Sequence, residues 1–321
     1  MDRFEAMKTL VAAVDGGSLS AASRSLATPL PTVSRRISDL EAHLGAQLLI
    51  RTSRKLILTE AGETFVASAR KLLEDMGDAE RVAAGEYRAP RGELVVTAPV
   101  TFGKLHVAPV VQDFLAAYPD VSVRLLLSDQ IIDLAEAHVD IAVRIGRLPD
   151  SELVARKVGE VQWVVCASPD YLARRGTPQT PDDLADHCCV AFEGFRDPHS
   201  WDLGGSGYGQ PVRINRRFTV NTADVVIDAA AAGTGLARVI SYQAAAALCD
   251  GRLVPVLDAW ASELLPVHLV HGSQRNQPLK QRAFLDFVAP RLKQVLDRLT
   301  QALNDIRAKG PGGCPDGQKQ A

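Results

Sequence analysis

The sequence predicts an α/β fold carried behind a small, all-α winged helix-turn-helix at the N-terminus. Three observations predict it. A short helical pattern, a proline-marked break and a second amphipathic helix fall within residues 18–44. A single long helical pattern with a heptad seam follows from residue 60. From Glu93 onward, apolar strands alternate with helical stretches in a βαβ rhythm. At 321 residues the chain exceeds the size of one core, so more than one domain is expected.

Residues 2–15 read as a helix with Phe4, Met7, Leu10, Val11 and Val14 on one apolar face, stopped by Asp15-Gly16-Gly17. Ser18 is placed to cap a short helix running to Ala27, buried through Leu19, Ala22 and Leu26. Thr28-Pro29-Leu30-Pro31 breaks that helix, because proline lacks an N–H and disfavours helical backbone in the residue before it. Pro31 suits the first turn of the next helix, which runs to Leu44 and ends at Gly45. Val33, Ile37, Leu40 and Leu44 recur at helical spacing and form its buried stripe. The opposite face collects Pro31, Thr32, Arg35, Ser38 and Asp39, with Arg36 on the flank. A short helix, a tight break and a second helix with a Thr/Arg/Ser face make a helix-turn-helix.

Residues 47–50 and 55–59 read as short strands around Arg51-Thr52-Ser53-Arg54, a hairpin wing with a basic tip. Thr59-Glu60-Ala61-Gly62 opens a long helix to about Tyr87, with Phe65, Ala69, Leu72, Met76, Ala79 and Ala83 on its heptad seam. Such a helix gains its stability by pairing with another chain. Ala89-Pro90-Arg91-Gly92 is a linker. Beyond it, strands are expected at 93–98, 121–127, 140–145, 161–167, 189–192, 217–220, 236–240 and 267–271. Helices are expected at 102–117, 130–137, 169–175, 181–185, 222–232, 241–248 and 278–300. The rhythm implies a mostly parallel sheet, divided between two lobes. The composition of Lys309–Ala321 reads as a disordered tail.

The net charge of −2 hides an uneven distribution. From Arg24 to Lys55 six basic residues stand against two acids, a local +4 of the kind that accompanies a discrete DNA-binding element. No stretch approaches the length of a membrane span, and the N-terminus lacks the apolar region of a signal peptide, so a cytoplasmic protein is expected. Cys166, Cys188, Cys189, Cys249 and Cys314 form no C-x-x-C pair and read as reduced, mostly buried thiols. Phosphate-binding loops, nucleophile elbows and zinc motifs are missing, and the histidines are scattered. Gly204-Gly205-Ser206-Gly207 reads as a flexible loop. No enzyme, metal or cofactor is expected.

Over residues 1–60 the order of these features resembles the LysR-type transcriptional regulators. The residues that carry the resemblance are Gly17-Ser18-Leu19-Ser20-Ala21-Ala22 and Pro31-Thr32-Val33-Ser34-Arg35-Arg36-Ile37, then Leu40-Glu41 and Leu44-Gly45. Gln47-Leu48-Leu49, Arg51-Thr52 and Leu58-Thr59-Glu60-Ala61-Gly62 continue it. Softer marks follow at 98–103, 118–121, 140–146 and 233–235, so the likeness covers roughly residues 1–300. Leu30-Pro31 departs from the small polar residues that many members carry there.

The resemblance implies a DNA-binding domain at 1–59, a pairing helix at 60–88 and an effector domain at 89–300 like a type 2 periplasmic binding protein. Its first lobe would take about 92–163 and 268–300, its second about 164–267, leaving 301–321 as a tail. It further implies operator DNA, a small-molecule effector, a homodimer or homotetramer, and RNA polymerase as partners. The residues expected to meet DNA are Ser18, Pro31, Thr32, Ser34, Arg35, Arg36 and Ser38, with Arg51, Thr52, Arg54 and Lys55 on the wing. Arg35 suits either a guanine edge or a phosphate.

The effector is expected between the lobes, at the carboxyl ends of strands. Pro99, Val100, Thr101, Phe102 and Gly103 follow one strand, Asn221 and Thr222 another, and Ile145, Gly146 and Arg147 a third. Thr101 and Thr222 also read as ordinary N-caps, Arg147 equally as a surface arginine, and Trp201 as a pocket wall or a core plug. Two helix N-termini facing one cleft suit a small anion, because both offer N–H donors and a positive dipole end.

Overall fold

The computed structural model describes residues 1–51, 56–83, 89–130, 132–134, 137–193, 199–203, 211–260, 264–273 and 277–309. The chain divides into two compact units, Met1–Gly92 and Glu93–Ala321.

The first unit contains α1 (Arg3–Asp15), α2 (Leu19–Ser25), α3 (Leu30–Leu44), β1 (Leu49–Arg51), β2 (Leu56–Leu58) and α4 (Glu60–Ala83). Asp2 caps α1 by accepting from the amides of Phe4 and Glu5. Gly45 ends α3 at φ +64°, in the left-handed region that glycine enters without strain. Val33, Ile37 and Leu40 are buried together with Ala6, Leu10, Ala13, Ala22, Leu48, Leu49 and Val66.

Two expectations about this core are corrected. Leu44 is exposed, and Leu48 and Leu49, just before and at the start of β1, complete the core. Phe4 is also exposed, because the buried face of α1 is carried by Ala6, Met7, Thr9, Leu10 and Ala13. Small alanines let α1 approach its neighbours closely, and the face turns with them. The heptad seam divides as well. Ala69 is buried and Phe65 packs on the domain's own core, whereas Leu72 and Met76 stay exposed. The side chains of Ala79 and Ala83 lie outside the described residues.

The second unit runs through β3 (Gly92–Ala98), α5 (Val100–Phe102), a π-helical turn at Gly103–Val107, α6 (Ala108–Ala117), β4 (Val121–Leu127), β5 (Ile141–Ile145) and β6 (Val154–Ala167). There follow α7 (Pro169–Arg175), a 3-10 turn at Pro181–Asp186, β7 (Cys188–Phe192), β8 (Ser200–Trp201), β9 (Val212–Arg213), β10 (Asn215–Val220) and α8 (Ala223–Ala231). The chain continues through β11 (Leu236–Ile240), α9 (Ser241–Cys249), β12 (Val254–Val256), β13 (Leu264–His271) and α10 (Leu279–Lys309).

Among the described residues, one sheet runs β10-β7-β11-β6-β13-β5-β3-β4, with β12 added to β6. The expectation of a mostly parallel sheet is corrected. β3 with β5, and β7 with β10 and β11, are parallel, but β6 pairs antiparallel with β11, β12 and β13, and β13 antiparallel with β5. The antiparallel strands sit where the chain passes between the lobes, a passage that the local βαβ pattern does not encode. The segment expected as a helix at 130–137 has no helix among its described residues.

Two apolar cores draw on successive stretches of β6, Val158 and Val161 in one and Val164 and Cys166 in the other. One gathers Leu94, Val96, Phe102, Phe114, Val143, Val158, Phe284 and Leu292, and the other Val164, Val190, Val226, Val239, Leu248 and Leu253. α10 contributes to both, because Ala302, Leu303 and Ile306 are buried in the second core. The tail expected from residue 301 is therefore corrected at its start, since the apolar spacing of the helix carries on to Lys309. Residues 310–321 and Gly204–Gly207 lie outside the described residues.

Cys166, Cys188 and Cys189 are free thiols, and burial pushes Cys166 and Cys189 up to about 12. Both stay protonated and unreactive at neutral pH. Cys249 is buried, and Cys314 lies outside the described residues.

His106, in the π-helical turn, makes edge-on contacts with Phe102 and Tyr242. Burial, reinforced by Arg298, lowers its pKa from 6.5 to about 4, so the imidazole is neutral at pH 7. In the unfolded chain it protonates near 6.5. Its contribution to stability is therefore complete above that pH and drains away as the pH falls towards 4. The loss should amount to about 3 kcal/mol. We expect His106→Phe to flatten the slope of unfolding temperature against pH across this window. A slope equal to that of the unmodified protein would sink the assignment.

Candidate nucleic-acid interface and effector cleft

The helix-turn-helix is assembled by local capping. Ser18 Oγ accepts from the Ala21 amide at 3.1 Å, which fixes the start of α2. Ser18 thus has a structural task, whatever else it meets. Pro29, Leu30 and Pro31 open α3 without a side-chain cap, and the Thr32 and Val33 amides donate to the Pro29 carbonyl at 2.9 and 3.1 Å. On α3, Pro31, Arg35 and Ser38 are exposed, while Thr32 and Ser34 are half-buried. The burial of Val33, Ile37 and Leu40 sets this orientation.

Arg36, expected to meet DNA, also ties two helices together. Its Nη1 donates to Glu5 Oε2 at 3.1 Å and to Thr9 Oγ1 at 3.4 Å. Thr9 is fully buried and its hydroxyl donates to the Glu5 carbonyl at 2.5 Å. The flank position of Arg36 was legible in sequence, but Glu5 lies a whole helix away and gave no signal.

The wing is the antiparallel pair β1–β2, with Leu49 opposite Leu58, Ile50 opposite Ile57 and Arg51 opposite Leu56. Thr52, Arg54 and Lys55 lie outside the described residues, as does the side chain of Arg51. Glu41, near the end of α3, reaches the root of this hairpin. Its Oε1 accepts from the amides of Leu48 at 2.8 Å and Leu49 at 3.0 Å.

In the second unit, β3 and β5 are parallel and in register, so Pro99–Gly103 and Ile145–Arg147 leave the same edge of the first lobe. Thr101 is buried and Val100 partly open. Phe102, expected to border the effector, is fully buried in the first core against Tyr242 and His106. Gly146 adopts φ +106° and its amide donates to the Pro266 carbonyl at 2.9 Å; Arg147 is exposed. Asn221 and Thr222 are exposed at the start of α8, and Thr222 supplies no side-chain cap there. Trp201 is buried among Val165, Tyr171, Leu184, Cys189 and Leu236, so it plugs the second lobe.

One ion pair joins the two helix starts. Lys104 Nζ donates to Asp224 Oδ2 at 3.1 Å, linking the turn after Phe102 to the first turn of α8. Asp129 Oδ1 accepts from the Val100 amide at 3.0 Å and so caps the first-lobe helix. Sequence reasoning missed Lys104, Asp129 and Asp224. The first and last lie one or two residues beyond positions that it named, but Asp129 reaches its partner only through the fold. No group of residues suited to holding a metal ion occurs among the described residues, and no helix among them is long and apolar enough to cross a membrane.

Comparison with known proteins adds to this geometry. Residues 4–63 match the profile of bacterial regulatory helix-turn-helix proteins of the lysR family, and residues 88–293 match that of the LysR substrate binding domain. The chain is 36% identical over 290 residues to an HTH-type transcriptional repressor of Pseudomonas aeruginosa strain UCBPP-PA14, covering 90% of this chain and 92% of that one. It is similar to the solved structure of CrgA, a LysR-type regulator from Neisseria meningitidis, at 33% identity and a TM-score of 0.58, covering 90% and 98% of the two chains. The full-length structure of AphB, a virulence activator of Vibrio cholerae, matches at 32% identity and a TM-score of 0.56, covering 88% and 97%. These relatives are named regulators, not enzymes.

Proposed function

Because this chain belongs to the LysR family of transcriptional regulators, we propose that a small anionic effector between its lobes controls how the N-terminal unit holds operator DNA. The observation that carries the anionic reading is the Lys104–Asp224 pair at 3.1 Å. It puts an ammonium between two helix starts, paired with a carboxylate from the opposite lobe. A ligand carboxylate would take the place of Asp224 on Lys104 and accept from the first amides of α8, which Thr222 leaves uncapped. Val100, Thr101, Gly103, Asn221 and Thr222 would border it, with Pro99, Ile145, Gly146 and Arg147 at the rim. Asp129 already occupies the amide of Val100, so α8 is the stronger of the two anion sites.

The outward face of α3 would enter the major groove, with Arg35 reading a base edge or holding a phosphate. Leu72 and Met76, exposed on α4, would pair two chains so that two recognition helices act together. Ligand binding would favour one lobe arrangement over another and so alter the spacing of those helices. The cytoplasm is the place of action and RNA polymerase the further partner in this reading.

The test is a thermal-shift and calorimetric screen of small carboxylates against neutral and cationic analogues of the same size. We expect carboxylates alone to bind, and Lys104→Met to weaken them by about tenfold, the scale of a lost charge-assisted contact. A screen that returned only neutral or cationic ligands would overturn the anionic reading.

A further inference from the structure

One residue of the first unit ties the recognition helix to the wing, and the DNA contacts described above do not use it. Glu41 lies near the end of α3. Its backbone carbonyl accepts from the Ala46 amide at 3.2 Å and from the Gly45 amide, closing the helix. Its side-chain Oε1 accepts from the two successive amides of Leu48 and Leu49, at 2.8 and 3.0 Å. The same residue thus ends the recognition helix and starts the wing.

The root of the wing is held from its other side as well. The Thr59 amide donates to the Leu48 carbonyl at 3.0 Å, and Thr59 Oγ1 donates to the Gln47 carbonyl at 2.6 Å. Thr59 Oγ1 also accepts from the Gly62 amide at 2.9 Å, at the start of α4. The peptide groups at 47–49 are therefore fixed on one side by α3 and on the other by α4. Only the Glu41 carboxylate supplies the first of these restraints among the hydrogen bonds described. Hydrogen bonds to a charged acceptor are short and directional, so a shared oxygen sets an angle as well as a distance.

We infer that Glu41 is a positioning residue for DNA binding, one that sets the reach of the β1–β2 wing relative to the major-groove face of α3 without touching DNA. Its carboxylate is committed to two backbone amides and is repelled by phosphate. Its loss leaves the stripe of Val33, Ile37 and Leu40 intact, so α3 keeps its seat while the hairpin loses its angle. The inference rests on the reading that the wing meets DNA beside the recognition helix.

The experiment uses the full chain and a duplex selected from a random-sequence pool by the unmodified protein. Hydroxyl-radical footprinting on that duplex separates central protections from flanking ones. Three variants are compared: Glu41→Gln, which keeps an acceptor at the same reach; Glu41→Asp, which keeps the charge but shortens the arm; and Glu41→Ala. Thermal unfolding is measured alongside.

The expected result is that Gln resembles the unmodified protein, while Asp and Ala lose flanking protections and keep central ones. Their affinity should fall about tenfold, as for a lost set of backbone contacts at fixed salt. The inference is overturned if Asp keeps every protection, or if central and flanking protections fade together in step with the folded fraction. Because Asp is tolerated in a helix and retains the charge, the outcome does not depend on Ala remaining folded. If the unmodified protein itself gives no flanking protections, the wing's role fails along with that of Glu41, an outcome distinct from the other two.

Discussion

Gly62→Ala should destabilise the first unit by about 2–3 kcal/mol, although alanine is the better helix former. Gly62 lies in the first turn of α4 beneath the wing root. A Cβ there would stand 2.1 Å from the Leu48 carbonyl oxygen, 2.9 Å from its carbon and 3.1 Å from Leu58 Cδ2. The nearest obstacle is backbone, held by Thr59 on one side and Glu41 on the other, so it cannot swing aside as a side-chain tip could. The helix-propensity gain of roughly 1 kcal/mol does not offset an overlap of that depth. Urea unfolding followed by circular dichroism would measure the loss. An unchanged or raised midpoint would show that the wing root yields freely and would contradict the geometry.

Arg35→Ala and Arg36→Ala should part company, despite being neighbours of the same charge. Arg35 is exposed on the outward face of α3, and no ion pair of it occurs among the described residues. Its removal should cost about 1–3 kcal/mol of operator binding and leave the unfolding midpoint in place. Arg36 is spent on Glu5 and Thr9, so its removal should cost stability. A half-exposed pair of this kind contributes up to about 1 kcal/mol, and a bond to a charged group somewhat more. Fluorescence anisotropy at fixed salt, paired with thermal unfolding, reads both effects. Equal losses of affinity without loss of stability would place Arg36 beside Arg35 as a DNA contact and contradict the structural role of its ion pair.

The parts of this molecule that could be read from sequence are those fixed by local periodicity. Val33, Ile37 and Leu40 recur at helical spacing with polar residues opposite, and that was enough to turn Arg35 and Ser38 outward. Leu44 shares the spacing but lies where the chain turns at Gly45, and burial there went to Leu48 and Leu49. Phe4 was misplaced because alanine reads as neutral, although Ala6 and Ala13 are the residues that let α1 pack closely. In the cleft, Thr101 and Thr222 were findable as helix starts. Lys104 and Asp224 matter through each other, across a separation of 120 residues. No window on the chain displays such a pair. The segment at 130–137 shows the opposite error, an apolar rhythm without a helix among its described residues.

β6 and α10 were described as serving both cores of the second unit, and this bears on how a signal can travel. Val154–Gln162 of β6 pairs with β13, while Trp163–Ala167 pairs with β11 and β12. α10 seats Phe284 to Leu296 in one core and Ala302 to Ile306 in the other, and Leu296 lies directly over Gly159 of the shared strand. The halves are therefore joined by a continuous ribbon and a continuous rod in contact with each other, not by slack tethers alone. Opening or shutting the cleft means torsion of these two members together. In the function proposed, an occupant of the cleft would act on this seam, and its effect would be felt wherever the rod and ribbon end.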